Sequence, residues 1–145
     1  MPITVINLQC DRYEDDAIER FVNAVCALKA DVLESPIDRI RVIVNDCPAK
    51  YISIGGVLAS KNGAAAPFYE SFLLEGRPMS QQHAVLAGIA DLLAEHLGED
   101  KAHIRGVIHM VAPERWGIAG KPAAGVRADE IEARKQKKLA LSRID

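Results

Sequence analysis

The chain reads as an α+β protein built from α/β-type repeats. Two tandem β-α-β units share one four-stranded sheet, and both helices lie on one face. Three observations predict this. First, landmarks recur in order. Pro2 to Arg12 and Pro67 to Arg77 both run from proline to arginine, 65 positions apart. Ile40-Arg41 and Ile104-Arg105 recur at 64, as do Tyr51 to Gly56 and Arg115 to Gly120. Self-similarity at a fixed period marks a duplicated unit. Second, each copy passes from strand-like to helix-like patterning and back. Third, a helical crossover between strands imposes parallel pairing and a right-handed connection.

The elements follow in order. Residues 2–8 alternate and are rich in Ile and Val, as a strand requires. Residues 14–33 place Ala17, Phe21, Ala24 or Val25, and Leu28 at helical spacing. Pro36 ends that helix, because the residue before a proline is pushed out of the helical region. Residues 39–46 form the second strand. Residues 58–66 are small and polar enough to link the halves. The second unit offers a strand at 67–74 and a helix at 79–97. That helix buries Val85 or Leu86, Ile89, Leu92 or Leu93, and Leu97, with Gly98 as terminator. Its closing strand is 103–110. The expected division is therefore 1–60, a linker at 61–66, 67–120, and an extension at 121–145. Within the extension, Ala128 to Ser142 reads as a charged, solvated helix. Parallel strands are buried on both faces, so self-association is expected to cover the helix-free side.

Composition narrows the function. The 145 residues carry 18 Lys+Arg against 20 Asp+Glu, with 49% hydrophobic residues. This fits a globular domain rather than disorder. A net charge of −2 and 5% aromatics argue against a nucleic-acid or membrane-surface binder. Cys10, Cys26 and Cys47 form no C-x-x-C, and their odd number fits a reducing compartment, the cytoplasm. No signal peptide and no transmembrane span are read. His83, His96, His103 and His109 show no metal spacing, and no nucleotide-binding glycine pattern is present, so no cofactor or metal is expected.

Pro2 is the sharpest single signal. Removal of an initiator Met before so small a residue would leave it a free secondary amine. An α-amino group titrates at about 7.7–8.0, and burial or nearby cations lower that. Such a base suits proton abstraction beside a carbonyl. Arginine suits carboxylate binding through its planar fork, and it stabilises charge developing on an enolate oxygen.

Taken together, Pro2-Ile3 opening a strand, Leu74-Glu75-Gly76-Arg77 before a helix, Arg41-Val42-Ile43-Val44 and the closing Ile54-Gly55-Gly56 resemble the tautomerase superfamily. The type member is 4-oxalocrotonate tautomerase. The resemblance covers residues 2–60 and 67–120. It implies a fused member, similar to the cis-3-chloroacrylic acid dehalogenase and macrophage migration inhibitory factor types, which form trimers. A homotrimer acting on a small carboxylate substrate is thus expected. By position, the family's base falls on Pro2. Pro67 matches it but is an internal amide, so one site per chain follows. The family's first arginine falls on Arg12 and Arg77, and its second on Arg41 and Arg105. Its aromatic wall falls on Trp116 in the second unit and on Ile52 in the first. The resemblance therefore points to Pro2, Arg77 and Arg105 as catalytic and Trp116 as substrate-binding, with Arg12 and Arg41 as further substrate-binding candidates.

The expected reaction is isomerisation of a 2-oxo or 2-hydroxy-dienoate acid. Hydrolytic dehalogenation or hydration of 3-substituted acrylates is the alternative enzyme class. The dehalogenase's histidine, other arginine, tyrosine and water-activating glutamate fall on Lys29, Leu74, Val107 and Ile118, and none matches. Glu114 could substitute for the glutamate, and Tyr51 or Tyr69 could donate a hydrogen bond. A non-catalytic trimeric binding module is the third reading.

Overall fold

The computed structural model describes residues 2–62 and 64–144. Met1, whose removal the sequence reading invokes, lies outside the described residues. So do Gly63 of the linker and Asp145. Strand β1 spans Ile3–Leu8, helix α1 Asp15–Val32 and strand β2 Arg41–Asp46. A small hairpin of β3 (Ser53–Ile54) and β4 (Val57–Leu58) leads into one helical turn, α2 (Ala59–Asn62). The second half repeats the order: β5 (Phe68–Leu74), α3 (Met79–Leu97), β6 (Arg105–Val111), β7 (Gly117–Ile118), β8 (Lys121–Pro122) and α4 (Ala123–Val126). Helix α5, Ala128–Ser142, closes the chain.

The four long strands form one sheet in the order β2-β1-β5-β6. Each unit pairs its own strands in parallel, β1 with β2 and β5 with β6. The units meet antiparallel at β1 and β5, where Ile3 faces Phe72 and Asn7 faces Phe68. That junction decides the site. It brings the start of the first unit alongside the end of β5, and the start of the second unit alongside the end of β1.

Both long helices lie on one face, as patterning predicts. Phe21, Val25, Val85, Ile89 and Leu93 are fully buried against Ile6, Leu8 and Leu73. Burying side chains of this size stabilises by roughly 1.5–3 kcal/mol each. Gly98 ends α3 at φ +67°, the left-handed conformation glycine adopts freely. On the other face, Ile43 and Phe68 remain 48% and 38% exposed.

The boundaries shift from the sequence reading in two places. Residues 59–62 belong to α2 rather than to a loose linker. The second copy continues through Val126, because β7, β8 and α4 repeat β3, β4 and α2. In both copies a two-residue turn with positive φ closes the hairpin, Gly55-Gly56 and Ala119-Gly120. In both, the residue opening the short helix bonds back to the position before the hairpin. Ala59 N donates to Ile52 O and Ala123 N to Trp116 O, each at 2.8 Å. The three cysteines are free. No helix among the described residues is long and apolar enough to cross a membrane.

Candidate active site

The prolines that open the two units sit at opposite ends of the sheet. Each is anchored alike: Arg41 N donates to Pro2 O at 3.1 Å, and Arg105 N to Pro67 O at 3.0 Å. Pro2 is fully buried. The β1–β5 register places the close of β5 beside it, so Arg77 lies at its end of the sheet. Arg41, opposite Ile3, lies there too. Arg12 follows the far end of β1, and Arg105 opens β6 opposite Phe68. Six strand residues separate these ends, about 20 Å at ~3.3 Å per residue. Within one chain, Arg41, Arg77 and Trp116 therefore lie at the Pro2 end of the sheet. Arg12 and Arg105 lie at the opposite end.

Trp116 is 8% exposed. It packs with Leu74 and Ala123 against Ile3 and Phe72, on the sheet face away from α1 and α3. Its neighbour Ile3 directly follows Pro2. Trp116 thus belongs to an apolar cluster at the Pro2 end of the sheet.

Arg77 is 9% exposed and already engaged. Its Nη1 donates to Leu33 O at 2.7 Å and to Gln81 Oε1 at 3.3 Å, and its Nη2 to Ser35 Oγ at 3.3 Å. It therefore closes the C-terminal end of α1, where carbonyls lack helical partners. Burial, and then the charge of Arg134, push its pKa down to about 10. Arg41 and Arg105 are exposed and, among the described residues, bond nearby carbonyls, Arg39 O and Ala102 O among them. Arg12 lies 3.7 Å from Glu99, which also accepts from the Tyr13 hydroxyl.

Sequence reasoning overlooked Lys29. It is fully buried, and its Nζ donates to Thr4 Oγ1 and, at 3.0 Å, to Ser71 Oγ. The two hydroxyls bond each other at 2.6 Å. Desolvation pushes its pKa down to about 7, with Arg77 adding to the effect and Cys26 opposing it. Thr4 is two residues from Pro2 on the same face of β1, so the ammonium lies beneath the Pro2 end. The readable signal was its spacing: Phe21, Val25 and Lys29 recur at four-residue steps, the lysine completing an apolar stripe.

The remaining candidates fall elsewhere. Tyr51 is 74% exposed, and Tyr69 is buried with its hydroxyl donating to Leu86 O at 2.7 Å. Leu74 is buried; Val107 and Ile118 are partly so. Glu114 is exposed on a cavity of about 470 Å³. His109 stacks on Phe72 and bonds Glu70 at 2.9 Å. Among the described residues, no group of three or more His, Cys, Asp or Glu is placed to hold a metal.

Comparison with known proteins agrees with the fold. The model of the family described as "Tautomerase enzyme" matches residues 72–124. The 2-hydroxymuconate tautomerase of Comamonas testosteroni is 42% identical over 57 residues, 39% of this chain and 90% of that protein. The Pseudomonas putida enzyme of the same name is 39% identical over the same shares. Such a relative is the length of one unit. The solved structure of native fused 4-OT superposes with a TM-score of 0.79 at 24% identity, covering 86% of this chain and 98% of that one. A fused 4-OT described as an asymmetric trimer gives 0.78 at 20%, with the same coverage. One unit-length relative at 42% identity and whole-body superposition on two-unit structures lead to one conclusion: the chain belongs to the tautomerase family, as a fused, two-unit isomerase of the 4-OT type.

Proposed function

We propose that the protein isomerises a small 2-oxo or 2-hydroxy-dienoate acid, with Pro2 as general base once Met1 is removed. The amine takes a proton from the carbon beside the carbonyl, or from the 2-hydroxyl of the enol form. The electron pair left behind shifts through the conjugated system. The proton then returns at another carbon, and the amine is regenerated. Arg41 and Arg77 bind the carboxylate and the 2-oxygen, and Trp116 keeps water from the apolar wall.

The observation that carries this is the asymmetry of the sheet ends. Buried Pro2 opens the end that holds Arg41, Arg77, Lys29 and Trp116. Lys29 supplies a further reason for a weakly basic amine there, because a nearby cation disfavours a second positive charge. The relatives' name, 2-hydroxymuconate tautomerase, supports the substrate class. Arg105, at the far end, takes part only if a second copy brings it to Pro2. A homotrimer provides for that, and a fused 4-OT of this fold is described as a trimer. The half-exposed Ile43 and Phe68 on the helix-free face offer the apolar area such contacts use.

Covalent labelling tests the reading. Treatment with 3-bromopropiolate, an electrophilic acid of similar size, should add one label per chain, located by peptide mass spectrometry at Pro2. A label elsewhere, or none while isomerisation of 2-hydroxymuconate proceeds, would overturn the role of Pro2.

A further inference from the structure

Helix α5 has no counterpart after α2 in the first half. Its charged composition suggests a solvated helix, yet one stripe is docked on the body. Glu130 accepts from Arg39 Nη1 with both carboxylate oxygens, each at 2.9 Å. Two turns on, Lys137 Nζ lies 3.1 Å from Glu34. Arg39 precedes β2 and Glu34 follows α1, so these anchors lay α5 across the end of the sheet where Pro2 opens.

Arg134 lies between the anchors and on the same stripe, four residues from Glu130 and three from Lys137. Its Nη1 is buried and has no hydrogen-bond partner among the described residues. An unsatisfied buried donor costs about 1–3 kcal/mol, more when charged. Its stem runs over Gly76, where an added Cβ would meet Arg134 Cδ at 3.6 Å. Arg134 lines a cavity of about 730 Å³ together with Arg77, Lys137 and Lys138. It also lines the 470 Å³ cavity on the other side of Gly76. Asp31 and Glu34 are the acids on the larger cavity, and Glu34 is held by Lys137.

Two like-charged guanidiniums, Arg77 and Arg134, therefore share one hollow, and the charge of Arg134 raises the cost of charging Arg77. An anion relieves both penalties: it satisfies the orphaned Nη1 and screens the pair. A carboxylate fits an arginine fork. Arg41, opposite Ile3, is a separate cation at the same end of the sheet, a second position for a carboxylate.

We propose that Arg134 of the C-terminal helix, with Arg77, forms a second carboxylate site at the Pro2 end, which selects dicarboxylates over monocarboxylates. This rests on the isomerase reading for its biological ligand but is tested by binding alone. The probes are cis,cis-muconate, with two carboxylates, and sorbate, with one, titrated calorimetrically into the full chain. The wild type should bind muconate more tightly. Arg134→Met should weaken muconate roughly tenfold or more while leaving sorbate within about twofold. Arg134→Lys, which keeps the charge, should restore part of the preference. Unchanged muconate binding in Arg134→Met overturns the proposal. So does equal weakening of both acids, or a lysine variant no better than the methionine one. The Pro2→Ala variant should retain the preference, so failure of the base role shows in turnover and not in this titration.

Discussion

The two ends of the sheet are built from the same plan and differ in charge. At both ends a proline carbonyl accepts from the arginine that opens the neighbouring strand. At the Pro67 end, α3 supplies Leu93 to the core, and the ring of Tyr69 fills the space under β6. At the Pro2 end, the matching positions are Lys29 and Thr4. The arginines diverge in the same way. Arg12 faces buried Glu99, a cation beside an anion. Arg77 feels both Arg134, which lowers its pKa, and, more weakly, Glu34, which also pairs with Lys137. Duplication thus kept the backbone bonds that hold the fold. The side chains at one end became an apolar core, and those at the other a group of cations around buried Pro2, the residue proposed as the base. In the proposed reading a free amine at Pro2 uses those cations, and Pro67, an internal residue, has none.

The largest expected effect tests that asymmetry directly. Pro2→Ala should lower kcat/KM for 2-hydroxymuconate by about 10²–10⁴-fold, the usual contribution of a positioned general base. Pro67→Ala keeps the carbonyl that Arg105 bonds, and should change it less than about twofold. Steady-state kinetics on both variants decide the matter. Equal losses would mean that the ends are functionally alike and the comparison is wrong.

Much of this plan was legible in the sequence. The periodicity of residues 79–97 marks the buried set of α3, and Gly98 marks its stop, because helical spacing and a left-handed terminator are local properties. The extent of α5 was legible for the same reason. Pairing between the units was not. Whether Arg105 joins Pro2 depends on β1 and β5 meeting antiparallel, a contact between residues more than sixty positions apart. Lys29 was hidden because a charged residue on an apolar stripe reads as an interruption until the hydroxyls of Thr4 and Ser71 are seen around it. The docked stripe of α5 was hidden because Glu130 and Lys137 look solvated until Arg39 and Glu34 are placed opposite them. Even the boundary at residue 120 was short, since β8 and α4 carry few matching residues although their shapes repeat.

Lys29→Leu should sharpen the comparison next, since it gives the Pro2 end the residue found at Leu93. In the fold its ammonium has two hydroxyls and no carboxylate, and its pKa falls to about 7. Unfolded, it titrates at about 10.4. Between these values the unfolded chain binds more protons, so stability rises with pH. The contribution is complete above the unfolded pKa and is lost as pH falls through about 7. The slope cannot exceed about 1.4 kcal/mol per pH unit. From pH 7 to 8.5 the wild type should gain stability, before the raised thiol of Cys10, near 11, begins to oppose it. In Lys29→Leu this slope should vanish, and stability at pH 7 should rise by roughly 1–3 kcal/mol, since Thr4 and Ser71 still bond each other. Urea denaturation across that range is the measurement. A variant with the wild-type slope would show that Lys29 stays charged and that its burial is compensated by other groups.

The smallest effect probes the apolar end. Opposite Tyr69 on β6 stands Gly106, where the first unit has Val42 opposite Thr4. A Cβ at Gly106 would fall 2.1 Å from Tyr69 Cζ, far inside contact distance. The ring cannot swing away freely, because its hydroxyl is held by Leu86 O. Gly106→Ala should therefore cost about 1–3 kcal/mol, the usual penalty for overpacking. In a Tyr69→Leu background the same change should cost much less, because the ring that causes the clash is gone. This double-mutant cycle separates two accounts of the glycine. If the cost is equal in both backgrounds, the glycine serves the backbone of β6. If it collapses, tyrosine and glycine act as one packing unit, a large residue admitted by a small one. That unit is how the second half fills with carbon the place that the first half gives to a hydroxyl and a buried amine.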